Sequence, residues 1–92
     1  MSRYEVKDFN GFELRKEILI NMINKKDMIN TNDIFVYGCN LIGISAFSEI
    51  TDISRTTIYK YITIPNEKYA LYTLKQELPL DLKDKILDKL GI

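Results

Sequence analysis

The chain has 92 residues, 46% of them hydrophobic, and its 13 Lys and Arg side chains balance 13 Asp and Glu side chains. This apolar content suffices for one compact core, so we expect residues 1–92 to form a single domain. Charged residues interrupt every apolar run before the roughly 18 residues of a membrane span, and the N-terminal segment lacks the apolar stretch of a secretory signal. We therefore expect a cytoplasmic protein that makes no membrane contact.

The residue types exclude several classes of enzyme and metal site. The sequence has one cysteine, Cys39, and no histidine. An intramolecular disulfide, a zinc site with the usual Cys and His ligands, and a nucleophile activated by histidine are therefore excluded. We expect no enzymatic activity, no metal or cofactor, and no small-molecule ligand. Cys39 itself is predicted to be a small buried hydrophobic residue.

The first part of the chain is predicted to enter a helix after a short extended segment. Residues 2–9 alternate loosely between apolar and polar side chains and meet the turn signal Asn10-Gly11, a pattern typical of a short strand or an arm. From Phe12 to about Lys26 the spacing of apolar residues becomes helical. The expected apolar face of this helix consists of Leu14, Ile18, Met22 and Ile23.

A second helix is predicted for the apolar segment that follows. Thr31 to Asp33 carries a helix-start signal, because short oxygen-bearing side chains accept hydrogen bonds from the first free N–H groups and an acidic residue suits the positive end of the helix dipole. Residues 34–43, IFVYGCNLIG, are apolar on nearly all sides and are expected to form the most buried helix, with a strand as the alternative. Gly38 weakens both interpretations, and Gly43 is the expected stop.

The most informative segment is Ser45–Thr63, SAFSEITDISRTTIYKYIT. Ser45 is expected to cap a short helix, Asp52 to lie in a turn, and Ser54 to cap a second helix over residues 55–62. Two short helices joined by a turn of three or four residues make up a helix-turn-helix. The residues expected to lie between the two helices are Phe47, Ser48, Ile53, Ile58 and Tyr61.

The second helix of this segment carries a polar outward face. Its members are Arg55, Thr56, Thr57, Tyr59 and Lys60. Arg55 can donate two hydrogen bonds to a guanine edge or hold a phosphate, and both roles stay open. The threonines offer a hydroxyl and a methyl group to base edges or phosphates, whereas the tyrosine and the lysine suit phosphates. The N–H groups at the start of the helix after Ser45 offer a further phosphate site.

The stretch ISRTTIYKYI, residues 53–62, resembles the turn and recognition helix of tetracycline-repressor-type regulators and of small phage and plasmid repressors, within the helix-turn-helix superfamily. The whole helix-turn-helix segment, Ser45–Thr63, covers about a fifth of the chain. The resemblance implies that the outward residues face a DNA major groove and its flanking phosphates. One departure is Asp52, where the family usually has glycine; aspartate tolerates the left-handed conformation better than most residues, but its charge opposes a phosphate. Because no large ligand-binding domain follows the motif, the ligand response of the tetracycline-repressor group is not carried over.

Two interpretations stay open after this motif, where Pro65 interrupts the chain. The first, which we favour, is a helix from Glu67 to Leu78 that Asn66 caps. Its apolar stripe would consist of Leu71, Leu74 and Leu78. The second is a β wing, in which residues 60–64 and 69–74 are strands joined by a short loop.

A last helix is predicted near the C-terminus. Asp81, which follows Pro79, is expected to cap it, and Gly91 lies just beyond its expected end at about Leu90. The predicted fold is therefore all-α, a small helical domain of four to six helices with a central helix-turn-helix. A short N-terminal strand and the β wing are its open additions.

The expected function is sequence-specific binding of double-stranded DNA by a repressor or regulator. Small size and a richness in Ile, Lys and Asn, which is typical of an AT-rich genome, favour a phage or mobile element. One recognition helix reads few base pairs and a neutral protein gains little from phosphates, so we expect a homodimer on two half-sites. The expected DNA-binding residues are Ser45, Ser54, Arg55, Thr56, Thr57, Tyr59 and Lys60.

A different class of function stays open. The same helical scaffold can serve as a phage or plasmid protein-binding module, such as an inhibitor or a packaging or partition accessory protein. The balanced charge favours this alternative, because DNA-binding proteins usually carry a basic excess. The polar outward face of residues 55–62 favours DNA.

Overall fold

A computed structural model describes the backbone of residues 3–68 and 70–92, together with the side chains of residues 11–68 and 70–92. Within these residues the chain forms five helices and two short strands, so the predicted all-α class with four to six helices is confirmed. In chain order the elements are α1 (Arg3–Lys25), α2 (Thr31–Ile42), α3 (Ile44–Thr51), α4 (Arg55–Tyr61), β1 (Ile62–Thr63), β2 (Thr73–Leu74) and α5 (Leu80–Leu90). None of these described helices combines the length and the apolar character that crossing a bilayer requires.

The core is one cluster of buried apolar side chains, to which each described helix and β1 contribute. Its members are Leu19, Ile23, Ile34, Phe35, Cys39, Ile44, Phe47, Ile50, Ile53, Ile58, Ile62, Leu78, Ile86 and Leu90. Phe35 and Phe47 meet edge to face, with ring centroids 5.6 Å apart, a geometry that aromatic pairs favour. The predicted burial of Cys39 is confirmed, and this burial raises the pKa of its thiol to about 12.

The expected short strand or arm before Asn10-Gly11 is wrong, because α1 begins at Arg3 and continues through this dipeptide. A glycine inside a helix costs only about 0.5–1 kcal/mol relative to alanine, and the packing of the following turns on the core offsets that cost. The predicted alternation of apolar and polar side chains before Asn10 concerns residues whose side chains lie outside the described part of the chain.

α1 turns only part of its expected apolar face toward the core: Ile23 is buried and Met22 half-buried as predicted, and Leu19, which is not in the expected face, is buried as well. Leu19 and Ile23 are buried, whereas Leu14 and Ile18 are 56% and 40% exposed. The two residues of each pair are four positions apart, so both pairs fit helical spacing equally well. Only the packing of α1 against α2 and α3 decides which pair is covered.

α2 has the predicted start and the predicted stop, with a different cap. Asn30 caps it, because its Oδ1 accepts a hydrogen bond from the N–H of Asn32 at 2.9 Å. The helix begins at Thr31, so the cap lies one residue before the predicted signal. α2 runs through Gly38, which confirms the helical interpretation of this apolar segment and excludes the strand. Gly43 ends α2 with φ at 91°, as expected.

The predicted helix from Glu67 to Leu78 is wrong, and the β wing alternative is closer to the observed structure. β1 pairs antiparallel with β2, with Ile62 opposite Leu74 and Thr63 opposite Thr73. We call residues 62–74 the hairpin. Its strands are shorter than predicted, with two residues each. Tyr69, where the second predicted strand would begin, lies outside the described residues.

Hydrogen bonds from other parts of the fold explain why this segment is not helical. Asn40 of α2 accepts a bond from the N–H of Tyr72 at 2.8 Å and donates one to the Tyr72 carbonyl at 3.0 Å. A helix would need both of these backbone groups for its own hydrogen bonds. Leu71 and Leu74, two members of the expected apolar stripe, are exposed, and only Leu78 is buried.

α5 begins one residue earlier than its predicted cap. Pro79 precedes the helix in an extended conformation and its carbonyl accepts bonds from Leu82 and Lys83, so Asp81 lies inside the first turn. The predicted cap at Asp81 is therefore wrong, because the fixed φ of proline suits the position just before a helix. Gly91 ends α5 in the left-handed conformation, as predicted.

Candidate nucleic-acid interface

The turn between α3 and α4 consists of Asp52, Ile53 and Ser54. Asp52 has the left-handed conformation, with φ at 58° and ψ at 34°, at the position where the resembled family usually has glycine. Ser48 of α3 donates a hydrogen bond from its Oγ to the Ile53 carbonyl at 2.6 Å, and the Ile53 side chain is buried in the core. These contacts fix the turn and therefore the direction in which α4 leaves α3.

The start of α4 is capped as predicted, and the start of α3 is not. The Ser54 Oγ accepts a hydrogen bond from the Thr57 N–H at 3.2 Å and lies 2.9 Å from the Thr57 Oγ1. α3 begins at Ile44 directly after Gly43, and none of the described side chains caps it. The predicted capping role of Ser45 is therefore wrong. Because Gly43 ends α2 and begins α3 at once, Ser45 lies exposed within α3. The expected phosphate site after Ser45 is therefore not at a helix start, and the Phe47 N–H there donates to the Gly43 carbonyl.

Residues beyond the hairpin hold the other end of α4. Gln76 donates a hydrogen bond from its Nε2 to the Lys60 carbonyl at 3.0 Å, and the Lys75 N–H donates to the Tyr61 carbonyl at 2.7 Å. The last carbonyls of a helix have no partner within the helix, so such bonds satisfy them. Although α4 has only seven residues, its backbone is anchored at both ends.

α4 buries one side and exposes the other. Ile58 is fully buried, and Tyr61 is half-buried against the core. The exposed residues of this helix are Arg55, Thr56, Tyr59 and Lys60, and Thr57 is half-buried. All the predicted site residues except Ser45 therefore lie together on α4 or at its cap.

The exposed side of α4 is electropositive at short range. α4 contains no acidic residue, and within the described part of the chain neither Arg55 nor Lys60 forms an ion pair. The nearest carboxylate along the chain belongs to Asp52, and its Oδ2 lies 4.0 Å from the Lys85 Nζ of α5. Lys85 therefore offsets part of the negative charge that precedes α4.

Sequence reasoning missed the residues that support this region from elsewhere in the chain. Gln76 and Lys75 hold the end of α4, and Lys85 offsets part of the negative charge of Asp52 in the turn. Each is separated from its partner by many residues and lies in a segment with no spacing signal that points to α4. Only the tertiary structure brings them together.

A groove of about 590 Å³ separates α2 from the hairpin. The residues that line it are Asp33, Val36, Tyr37, Asn40, Leu41, Leu71, Tyr72, Thr73 and Leu74. Asn40 joins its two walls through the bonds to Tyr72. No described residue of α4 lines the groove, so it is separate from the exposed helix face.

Among the described residues no group of three or more His, Cys, Asp or Glu side chains is arranged to hold a metal ion. Comparisons of the chain with protein-family models, with curated proteins and with solved structures find no match. The resemblance of residues 53–62 to helix-turn-helix regulators therefore stays a prediction that depends on the motif itself.

Proposed function

We propose that this protein binds double-stranded DNA in the cytoplasm by inserting α4 into the major groove, as a repressor or regulator of a phage or mobile element. The exposed side of α4 carries the proposal. Arg55, Thr56 and Lys60 face solvent while Ile58 is fully buried beneath them. A short helix anchored at both ends, with its polar side outward, suits the reading of base edges in the major groove. The proposed role is binding and not catalysis.

The proposed contacts follow from the position of each side chain. Arg55 in the first turn of α4 donates to a guanine edge or to a phosphate, and Thr56 beside it offers a hydroxyl and a methyl group. The hydroxyl of Thr57 is a partner of Ser54, so these two residues position the helix more than they read bases. Tyr59 and Lys60 suit the phosphates that fix the register of the protein on the duplex.

The balanced charge of the chain supports a homodimer in this proposal. Phosphate neutralisation supplies much of the affinity of DNA-binding proteins, and 13 basic against 13 acidic residues leave no net attraction. Two copies of α4 on half-sites about 34 Å apart would combine their contacts. Sedimentation analysis tests this part, because a protein that stays monomeric at high concentration with and without its DNA site contradicts the dimer.

The test of the proposed function is selection of bound sequences from a random duplex pool, followed by affinity measurements on the enriched sequence. If Arg55 reads a base, Arg55→Ala should cost about 1–3 kcal/mol and relax the preference at one position, whereas Lys60→Ala should weaken binding to all sequences alike. Lys25→Ala, which removes an exposed cation at the end of α1, is the matched control and should leave binding unchanged. Failure of the wild-type protein to enrich or bind any duplex at low salt contradicts the proposal.

A protein-binding module is the second candidate function, and the zero net charge favours it. An inhibitor or a packaging or partition accessory protein needs no attraction to phosphates. Under this alternative, Arg55→Ala and Lys60→Ala would leave duplex binding as weak as it is in the wild-type protein. The selection experiment therefore separates the two functions.

A further inference from the structure

α5 brings a cation to the turn that precedes α4. The Lys85 Nζ lies 4.0 Å from the Asp52 Oδ2. The neighbouring Ile86 is fully buried and Leu90 is nearly so, which holds α5 against the core. The backbone at Lys85 is therefore fixed relative to the turn, and only the flexible lysine side chain adjusts.

The pair between Lys85 and Asp52 is open to water, because the two side chains are 40% and 77% exposed. Exposed ion pairs of this kind contribute little to stability, so another anion can replace the carboxylate at little cost. Asp52 comes three residues before Arg55 in the chain. If a phosphate of the duplex lies beside this turn, it meets the ammonium group of Lys85 and is repelled by Asp52.

We infer that Lys85 is a DNA-backbone contact supplied by α5, and that Asp52 competes with the phosphate for its ammonium group. The inference rests on the proposed function, because it adds a phosphate contact to the surface of α4. It assigns a role in binding to a helix outside the motif. It also explains how the chain accommodates an acidic residue at the turn: the carboxylate is held by a lysine when DNA is absent, and binding of a phosphate releases it.

Salt dependence distinguishes a phosphate contact from a structural ion pair. Each phosphate contact on duplex DNA contributes about −0.9 to the slope of log K against log salt concentration. Counterion release alone then makes the loss of one contact worth about eightfold in affinity at 0.1 M salt. A residue that only stabilises the turn would change neither quantity in a protein that remains folded.

The experiment measures binding of a fluorescein-labelled duplex, with the sequence that the wild-type protein enriches from a random pool, over a series of salt concentrations. We expect Lys85→Ala to make the slope shallower by about 0.9 and to weaken binding about eightfold at 0.1 M salt. Lys85→Gln, which keeps most of the aliphatic stem, should behave in the same way. Lys83→Ala is the matched control, because Lys83 lies on the same helix and pairs with Glu77 at 3.2 Å, and it should leave both quantities unchanged.

Asp52→Asn tests the competition. Asparagine also tolerates the left-handed conformation, so the turn is kept while the charge is lost. We expect tighter duplex binding and a steeper salt slope, and we expect the gain in affinity to be smaller when Lys85→Ala is also present. If Asp52→Asn raises the affinity equally with and without Lys85→Ala, then Asp52 does not compete with the phosphate for Lys85.

Two results would overturn the inference in distinguishable ways. If the wild-type protein binds, Arg55→Ala weakens it, and Lys85→Ala matches Lys83→Ala in affinity and slope, then the contact from α5 is excluded and the proposed function stands. If the wild-type protein binds no duplex, the proposed function fails and the inference fails with it.

Discussion

Gly38 of α2 lies so close to Phe47 of α3 that a β-carbon on Gly38 would be 2.5 Å from Cε1 and 2.6 Å from Cδ1 of the phenyl ring. Phe47 is fully buried and meets the ring of Phe35 edge to face. The phenyl ring therefore cannot move without repacking the core, since protein interiors are close-packed. The missing side chain of Gly38 lets α2 approach α3, the helix that supports the turn into α4.

We expect Gly38→Ala to lower the free energy of unfolding by about 1 kcal/mol, because overpacking typically costs about 1–3 kcal/mol and outweighs the higher helix propensity of alanine. Gly11→Ala in α1 is the matched control. A β-carbon at Gly11 meets nothing within 4 Å, so this variant should gain about 0.5–1 kcal/mol. Urea denaturation measures both values, and stabilisation by both substitutions would contradict the close approach of α2 and α3.

The left-handed conformation of Asp52 predicts a difference between two substitutions. Asp52→Ala and Asp52→Asn both remove the ion pair with Lys85, so comparing them isolates the effect of the backbone. Alanine in the left-handed region costs about 1–2 kcal/mol, whereas asparagine adopts it more readily. We expect the alanine variant to unfold at a lower urea concentration than the asparagine variant. Equal midpoints would show that the turn does not depend on this conformation.

Replacing each of the two serines of the motif by alanine should affect stability differently. Ser54→Ala removes the cap of α4 and should lower the free energy of unfolding by about 1 kcal/mol. Ser45 lies exposed inside α3. Ser45→Ala should therefore be neutral or slightly stabilising, because alanine has the higher helix propensity. Thermal melting followed by circular dichroism compares the two. A loss of similar size in both variants would restore Ser45 as a cap.

Asn40 predicts how firmly the hairpin is held. Asn40→Ala removes both half-buried bonds to the Tyr72 backbone, and a typical intramolecular hydrogen bond contributes about 0.5–1.5 kcal/mol. We expect the Tyr72 amide and the amides of β1 and β2 to exchange with deuterium faster, while the buried core of α3 keeps its protection. Asn21→Ala, at an exposed position of α1, is the control. Unchanged exchange at Tyr72 would mean that the hairpin does not need this link.

The buried thiol of Cys39 predicts a pH dependence of stability. Burial raises the pKa of this thiol from 9.0 to about 12, so the folded state holds the proton more tightly than the unfolded state. The contribution of the protonated thiol to the free energy of unfolding is fully present below pH 9. It is lost as the pH rises toward 12, because the unfolded chain loses the proton first. The free energy of unfolding, measured from pH 9 to pH 12, should fall less in Cys39→Ala than in the wild-type protein. Parallel profiles in the two proteins would contradict the burial of the thiol.

Several features whose contacts lie within a few residues were predictable from the chain alone, although the caps expected at Ser45 and Asp81 were wrong. The Ser54 cap bonds to Thr57, and Gly43 and Gly91 adopt positive φ where the helical spacing stops. Asp52 takes the left-handed conformation that the motif requires. These groups meet through local geometry, so the identity and spacing of the residues are enough to predict them. The outward face of α4 follows from the same local reasoning.

Contacts between distant residues decided what local patterns left open. Helical spacing in α1 allowed either Leu14 or Leu19 to face the core, and packing against α2 and α3 covered Leu19. The leucines after Pro65 suited a helix, but the bonds between Asn40 and Tyr72, 32 residues apart, favour a hairpin. Bringing such distant segments together costs chain entropy that only the contacts of the assembled core offset. The sequence of α1 or of the hairpin by itself therefore does not determine which residues are buried or which backbone groups are bonded.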